Sequence, residues 1–264
     1  MDPQLGDQFN RMDKEGLLDL DSRKGKAPGG YQNTLSEARQ SFIFMNAVGV
    51  DDDVRTLLHE GGHALHALAC AKDPLVDYRH GPMEFCEVAS MAMELLGGRY
   101  MEEFYNDADT KRSNREHWEG IIHILAWAAN IDAFQHWIYE HPDHTPAERR
   151  QAWIGFYEQF GGKFIDWTDL TEVKAYGWHR QLHIFEMPFY YIEYGIAQLG
   201  ALQVWMNARR DPKKALADYR KGLALGGSRP LPELYKAAGI RFDFSESIIK
   251  PLADAVYQEW QKLL

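Results

Sequence analysis

Cysteine is scarce in this sequence, with only Cys70 and Cys86 among 264 residues. Each lies in an apolar run that favours a helix, and two such residues do not make the disulfide framework of a small secreted protein. Residues 1–7 also lack the basic and apolar segments of a secretory signal peptide. We therefore expect a protein of the reducing cytoplasm.

Basic residues are also in deficit, with 29 Lys and Arg against 39 Asp and Glu and a formal net charge of −10. Nucleic-acid binding requires positive charge concentrated at the phosphates, so we expect no nucleic-acid partner. The longest apolar stretch, residues 188–206, is interrupted by Glu193, Gln198 and Gln203. It favours a core or cleft helix over a membrane span, and we expect no membrane partner.

The composition does supply material for a core, because 45% hydrophobic and 13% aromatic residues are typical of a soluble globular protein. A chain of this length buries ~70–75% of the surface that it exposes when unfolded. Length and composition leave one or two domains possible. The sequence does not predict the oligomeric state.

The most informative motif is HExxH, in which His59 and His63 enclose Glu60. Residues four apart on a helix lie on the same face, so the two imidazoles can reach one metal ion. Zinc takes nitrogen and carboxylate ligands in a tetrahedral set with one place left for water. Glu60 is placed to accept the proton of that water.

A bare HExxH also occurs by chance on amphipathic helices, so its surroundings matter. The flanking residues 54–58 and 64–69 predict a buried helix. Gly61 and Gly62 together cost such a helix ~2 kcal/mol relative to alanine. That cost indicates that another group approaches the helix backbone closely there.

A third protein ligand is expected from the next acidic residues in an apolar helical setting, which are Glu84, Glu87 and Glu94. Positions 87, 91 and 94 share one helical face. The spacing alone leaves the choice among the three carboxylates open.

The sequences HEGGHALH, from His59, and EFCEVASMAMELL, from Glu84, resemble the oligoendopeptidase F and thimet oligopeptidase family of zinc peptidases. The resemblance implies one zinc ion per chain with Glu87 as the third ligand. Glu84 and Glu94 are then candidates for a supporting contact or for salt bridges. It also implies that residues 1–264 form a single, mainly α, zincin-type helical catalytic domain with a small β-sheet near the N-terminus, without the helical N-terminal half that family members carry.

A second stretch, from His183 to a tyrosine-rich segment, predicts by its periodicity an aromatic core helix. In the family that the chain resembles, a histidine and tyrosines of such a helix face the zinc and contact the scissile carbonyl. The resemblance assigns that role to His183, Tyr191 and Tyr194, with Tyr190 as a substitute for Tyr191. It also implies that the strand at residues 42–46 binds the main chain of an extended peptide.

The remaining pattern predicts the end of a helix over residues 1–18, two or three strands from there to residue 46, and helices beyond them. The predicted helices cover residues 52–71, about 82–97, about 114–139 and about 145–160, then a helix through Lys174 and Trp178, and three or four helices after residue 200. His117, His123 and His136 fall on one of these helices and are expected to be ordinary core or surface residues.

These features together predict a zinc-dependent endopeptidase that hydrolyses internal bonds of short oligopeptides. Glu60 activates the zinc-bound water, and His183, Tyr191 or Tyr194 stabilises the oxyanion. Two alternatives remain open. One is a zinc carboxypeptidase, for which Arg180 is the candidate to bind the substrate carboxylate. The other is a non-catalytic, zinc-stabilised helical binding domain, in which His66 closes the coordination sphere.

Overall fold

The computed structural model describes residues 2–264, and within that range it contains eleven α-helices and three strands. The strands are β1 (Leu18–Asp21), β2 (Tyr31–Leu35) and β3 (Gln40–Ala47). The helices are α1 (Pro3–Lys14), α2 (Asp51–Cys70), α3 (Met83–Gly97), α4 (Asp107–Glu140), α5 (Pro146–Gln159), α6 (Thr171–Ala175), α7 (His183–Glu186), α8 (Ile192–Arg210), α9 (Pro212–Leu223), α10 (Leu231–Ala237) and α11 (Glu246–Gln261). The predicted class, mainly α with a small sheet near the N-terminus, is confirmed.

The chain divides into two compact units. Unit 1 comprises the chain up to His117 together with Ala197–Leu264, and unit 2 is the continuous stretch Trp118–Ile196. The metal motif falls in unit 1, and the histidine and tyrosine stretch falls in unit 2. The assignment of a single catalytic domain stays a prediction.

In unit 1 the sheet has the order β1-β3-β2, so β3 is the central strand. It pairs in parallel with β1 and antiparallel with β2. Side chains alternate along β3, and Ser41, Ile43 and Met45 point into the protein. Ile43 and Met45 share a core cluster with Met12 and Ala64, which attaches the sheet to α2.

The helix α2 begins where the sequence predicts, with three aspartates in its first turn. The Oδ2 atom of Asp53 accepts hydrogen bonds from the main-chain N–H groups of Val48, Gly49 and Val50, at 2.8, 2.7 and 2.9 Å. A carboxylate at this end also opposes the helix dipole. Together these contacts fix the point at which the chain leaves β3 and enters α2.

The helices α2 and α3 touch backbone to backbone at Gly62. A Cβ atom built there would lie 2.6 Å from both the main-chain oxygen of Ala89 and the Cα atom of Ser90. By contrast, a Cβ built at Gly61 would have no neighbour within 4 Å. The close approach expected at the glycine pair is therefore made by α3, and only Gly62 is required for it.

The C-terminal segment of unit 1 covers the other side of α3. The hydroxyl of the fully buried Tyr219 donates a 2.7 Å hydrogen bond to the main-chain oxygen of Ala89. The ring of Tyr235 lies 5.8 Å from that of Phe85, and both rings are fully buried. α3 is thus enclosed between α2 and residues that come more than a hundred positions later in the chain.

Unit 2 is organised around an aromatic core. Its buried members are Trp127, Ile131, Phe134, Trp153, Trp178 and Ile184. Where the sequence predicts a helix through Lys174 and Trp178, the structure has only the five-residue α6 and a short 3-10 turn. The large Trp178 side chain is 7% exposed and packs in this core, although no long helix carries it.

The predicted aromatic helix after His183 is also wrong in part, because α7 ends at Glu186 and α8 begins only at Ile192. Pro188 cannot donate a helical hydrogen bond, and Phe189 has a positive φ of 62°. Tyr190 and Tyr191 therefore lie in the turn before α8. Within residues 2–264, no helix is long and apolar enough to cross a membrane.

Candidate metal centre

His59, Glu60 and His63 all lie on the helix α2, within unit 1. The rings of His59 and His63 have centroids 4.9 Å apart and are nearly perpendicular, at 81°. Both imidazoles are partly buried, and Glu60 is 7% exposed. The helical spacing thus brings the two rings together as predicted.

The helix α3 brings Glu87 to the same point. Its Oε2 atom lies 3.3 Å from Nε2 of His59 and 3.7 Å from Nε2 of His63. The hydroxyl of Ser90, one turn further along α3, donates to Oε2 of Glu87 at 3.1 Å. The backbone contact at Gly62 makes this approach possible, because a side chain there would hold α3 away.

These three residues fit a zinc ion by the chemistry and the spacing of their donor atoms. Two imidazole nitrogens and one carboxylate oxygen lie within 4.8 Å of one another. Ligands at ~2.0–2.2 Å from zinc in a tetrahedral set are ~3.3–3.6 Å apart, which agrees with the distances from Glu87 to the two histidines. Three protein donors leave one tetrahedral position for another ligand.

A chain of polar contacts supports His59 from behind. Its Nδ1 atom donates to Oε1 of Glu94 at 2.7 Å, and His117 donates from Nε2 to the other carboxylate oxygen at 3.1 Å. The buried Arg55 in turn lies 3.4 Å from Nδ1 of His117. Because Nδ1 of His59 is bound to Glu94, its Nε2 atom is the one directed at Glu87 and His63.

Sequence reasoning missed part of this arrangement. His117 is not an ordinary surface or core histidine, because it binds the carboxylate that holds His59. Of the two acidic candidates, Glu94 makes the supporting contact, whereas Glu84 does not belong to the group of converging donors. The seven-residue spacing from Glu87 to Glu94 was the available signal, since it places both on one face of α3.

The electrostatics of the site favour positive charge at its centre. Burial opposes a charge on His59, but the carboxylates of Glu87 and Glu94 outweigh it and raise the pKa of His59 to about 10. Burial lowers the pKa of His63 to about 4, which leaves its imidazole neutral and able to act as a ligand. Burial also raises the pKa of Glu60.

The strand β2 borders Glu60. The main-chain N–H of Gln32 is a hydrogen-bond partner of the Glu60 carboxylate and partly opposes the effect of burial on its pKa. The expectation that residues 42–46 bind an extended peptide is wrong for Ile43 and Phe44, because β3 is paired with a strand on each side there. The free edge beside the metal helix belongs to β2.

Unit 2 brings the other predicted residues together. The ring of His183 lies 5.7, 5.1 and 5.9 Å from the rings of Tyr190, Tyr191 and Tyr194. The rings of Tyr191 and Tyr194 are 5.2 Å apart. Burial raises the pKa of the Tyr191 phenol, which favours a hydroxyl that can donate a hydrogen bond.

The residues named for the two alternative functions have other surroundings. His66 is 3% exposed, its Nε2 atom is buried without a hydrogen-bond partner, and it is not one of the converging donors. Its ring packs at 5.9 Å from Phe85. Arg180 is exposed, and its guanidinium lies 4.6 Å from the ring centroid of Trp127.

The profile of peptidase family M3 matches residues 4–254. The chain belongs to peptidase family M3. Among curated relatives, oligopeptidase PepF of Bacillus subtilis is 24% identical over 250 residues, and an oligoendopeptidase F homolog of Borreliella burgdorferi is 24% identical over 247 residues. These alignments cover 92% and 87% of this chain but only 37% and 40% of the relatives, so the chain spans about two fifths of their length.

Solved structures of the family are similar over nearly the whole chain. An X-ray structure of a protein assigned as oligoendopeptidase F is 34% identical, with a TM-score of 0.88, and PZ peptidase A with an inhibitor is 32% identical, with the same TM-score. The matches cover 98% and 99% of this M3 chain and 46% of each neighbour. The described residues therefore have the same fold as the corresponding part of solved M3 structures.

Proposed function

We propose that this M3 chain is the catalytic region of a zinc-dependent endopeptidase that acts on oligopeptides. The observation that carries the proposal is the convergence of His59, His63 and Glu87 next to the buried carboxylate of Glu60. Structural zinc sites use four protein ligands, whereas three ligands and an adjacent base are typical of hydrolytic sites. The relatives, which carry oligopeptidase names, support the same substrate class.

In the proposed reaction His59, His63 and Glu87 would hold one zinc ion. Bound zinc would polarise the scissile carbonyl and lower the pKa of water toward ~7. Glu60 accepts the proton of the attacking water and later delivers it to the leaving amine. Burial suits Glu60 to both tasks, because it raises the pKa of the carboxyl toward the range in which a group gains and loses a proton readily.

Oxyanion stabilisation is assigned to His183, Tyr191 and Tyr194. This assignment rests on the family resemblance and on their mutual ring contacts in unit 2. Loss of one donor to an oxyanion typically lowers kcat by ~10²–10³. We assign the binding of the substrate main chain to the free edge of β2. A peptide added as a strand binds by backbone hydrogen bonds, so the edge would tolerate many side chains.

The test combines metal content with peptide cleavage. Purified protein and its His63→Ala variant are compared by elemental analysis, and both are assayed with a quenched fluorescent oligopeptide with and without chelator. We expect about one zinc per wild-type chain, loss of zinc from the variant and chelator-sensitive internal cleavage. Glu60→Gln is the sharper variant, because it should keep the zinc and lose ~10²–10⁴ in kcat. Full activity of Glu60→Gln would refute the proposal.

The same assay separates the alternatives. A carboxypeptidase requires a free substrate carboxylate, so peptides with amidated C-termini would resist cleavage. An internal bond cut equally in amidated and free peptides favours the endopeptidase. Stoichiometric zinc without cleavage of either peptide would favour the binding domain.

A further inference from the structure

A short relay of side chains in unit 2 links the aromatic core to His183. The indole Nε1–H of Trp127 donates to Oε1 of Gln181 at 2.9 Å. The side-chain amide nitrogen of Gln181 lies 2.7 Å from Nδ1 of His183. Gln181 is half-buried, so its amide is partly shielded from competing water.

The direction of both hydrogen bonds follows from the chemistry of the first donor. An indole nitrogen can only donate, so the group that faces Trp127 has to be the carbonyl oxygen of the Gln181 amide. The NH₂ group then faces His183, and it also can only donate. Nδ1 of His183 must therefore accept, and a neutral imidazole that accepts at Nδ1 carries its proton on Nε2.

Packing holds the components of the relay in place. Trp127 is 7% exposed and meets the ring of Trp153 edge to face at 5.7 Å. The imidazole of His183 is stacked on Tyr190, with 23° between the planes, and meets Tyr191 edge to face. The amide cannot turn over without placing its NH₂ group against the indole N–H of Trp127, which would bring two donors together.

We propose that Gln181 is a positioning residue that, fixed by Trp127, holds His183 in the Nε2–H tautomer. This inference rests on the proposed function, in which His183 donates a hydrogen bond to the oxyanion. A neutral histidine has only one N–H to donate, and the relay assigns that donor to the nitrogen on the far side of the ring from Gln181. The indole, amide and imidazole thus act in series to keep one donor available.

The test is a measurement of which nitrogen of His183 carries the proton. Full-length protein labelled with ¹⁵N in histidine is examined by two-bond ¹H–¹⁵N NMR above the pKa of free histidine, with His183→Asn to assign the signals. The expected wild-type result is a pyridine-type shift at Nδ1 and a pyrrole-type shift at Nε2. In Gln181→Glu, whose carboxylate can only accept, the two shifts should exchange or the ring should become doubly protonated. Gln159→Glu adds the same charge at an exposed site of unit 2 and should leave the signals unchanged.

A wild-type Nδ1–H tautomer, or an unchanged tautomer in Gln181→Glu, would overturn the inference, and the wild-type result does not depend on the folding of any variant. Peptide cleavage gives a separate readout: with the tautomer reversed, kcat should fall by ~10²–10³ while KM changes little. A reversed tautomer with unchanged kcat supports the relay and removes His183 from the proposed reaction. The inference and the proposed function can therefore fail independently.

Discussion

Replacement of Gly62 by alanine should separate helix packing from helix propensity at the metal site. A Cβ atom at position 62 would lie 2.6 Å from backbone atoms of Ala89 and Ser90, well inside the 3.4 Å at which ordinary contacts begin. Because backbone cannot rotate out of the way, α3 has to shift by about 0.8 Å or α2 has to bend. Overpacking of this kind costs ~1–3 kcal/mol.

Gly61→Ala is the matched control, since its Cβ would have no neighbour within 4 Å. Both variants gain ~1 kcal/mol of helix propensity, so the difference between their free energies of unfolding isolates the packing cost. We expect Gly61→Ala to be more stable than Gly62→Ala by ~1–3 kcal/mol, which corresponds to ~3–10 °C in Tm for a chain of this size. Thermal and urea unfolding in the presence of chelator measure this difference without a contribution from metal.

Zinc affinity provides an independent readout of the same shift. Movement of α3 displaces Glu87, and metal sites tolerate only ~0.5 Å of error in ligand position. Competition with a fluorescent chelator should therefore show weaker zinc binding in Gly62→Ala and unchanged binding in Gly61→Ala. Equal stability and equal affinity of the two variants would refute the close backbone approach.

Three further predictions concern the surroundings of the site. Glu94→Gln should weaken zinc binding ~10–100-fold in the same competition assay, because it disturbs the contact that orients His59, whereas Glu84→Gln should not. Burial lowers the pKa of His66 to about 4, below the ~6.5 of a histidine in the unfolded chain. The free energy of unfolding should therefore be constant with respect to His66 above pH ~6.5 and should fall by up to ~3 kcal/mol as the pH drops toward 4. Urea unfolding with chelator at pH 4–7 should show a shallower loss in His66→Gln. Tyr219→Phe should cost ~1 kcal/mol in the same assay by removing its hydrogen bond to α3, with a negligible effect for the exposed Tyr257→Phe.

Local spacing predicted the two histidines of the converging donor group, and the family resemblance added Glu87. His59 and His63 are four residues apart on one helix, and Glu87 follows in the next apolar helix, so periodicity and the family resemblance together identified all three. The contact between His117 and Glu94 could not be predicted in this way. It joins two helices across 23 residues, and no sequence pattern encodes which turn of α4 faces α3.

The errors in the fold have physical causes. Residues 1–18 fit the apolar pattern of a helix end, but α1 ends at Lys14 and Leu18 lies in β1, whose parallel partner β3 is more than twenty residues away. The aromatic stretch after His183 has helical periodicity, yet Pro188 and the positive φ of Phe189 interrupt it. In both places a long-range pairing or a backbone constraint outweighed the local pattern.

During synthesis from the N-terminus, α2 and α3 are complete well before the tyrosines that pack on α3 have been made. α2 and α3 end by Gly97, whereas Tyr219 and Tyr235 arrive only with α9 and α10. At ~5–20 residues per second the interval is on the order of ten seconds, and the continuous unit 2 emerges within it. Throughout that time Phe85 on α3 has the His66 ring of α2 beside it but lacks the ring of Tyr235. A chain that stalls before α10 therefore exposes the helix that supplies Glu87 on the side where Tyr235 packs in the finished protein.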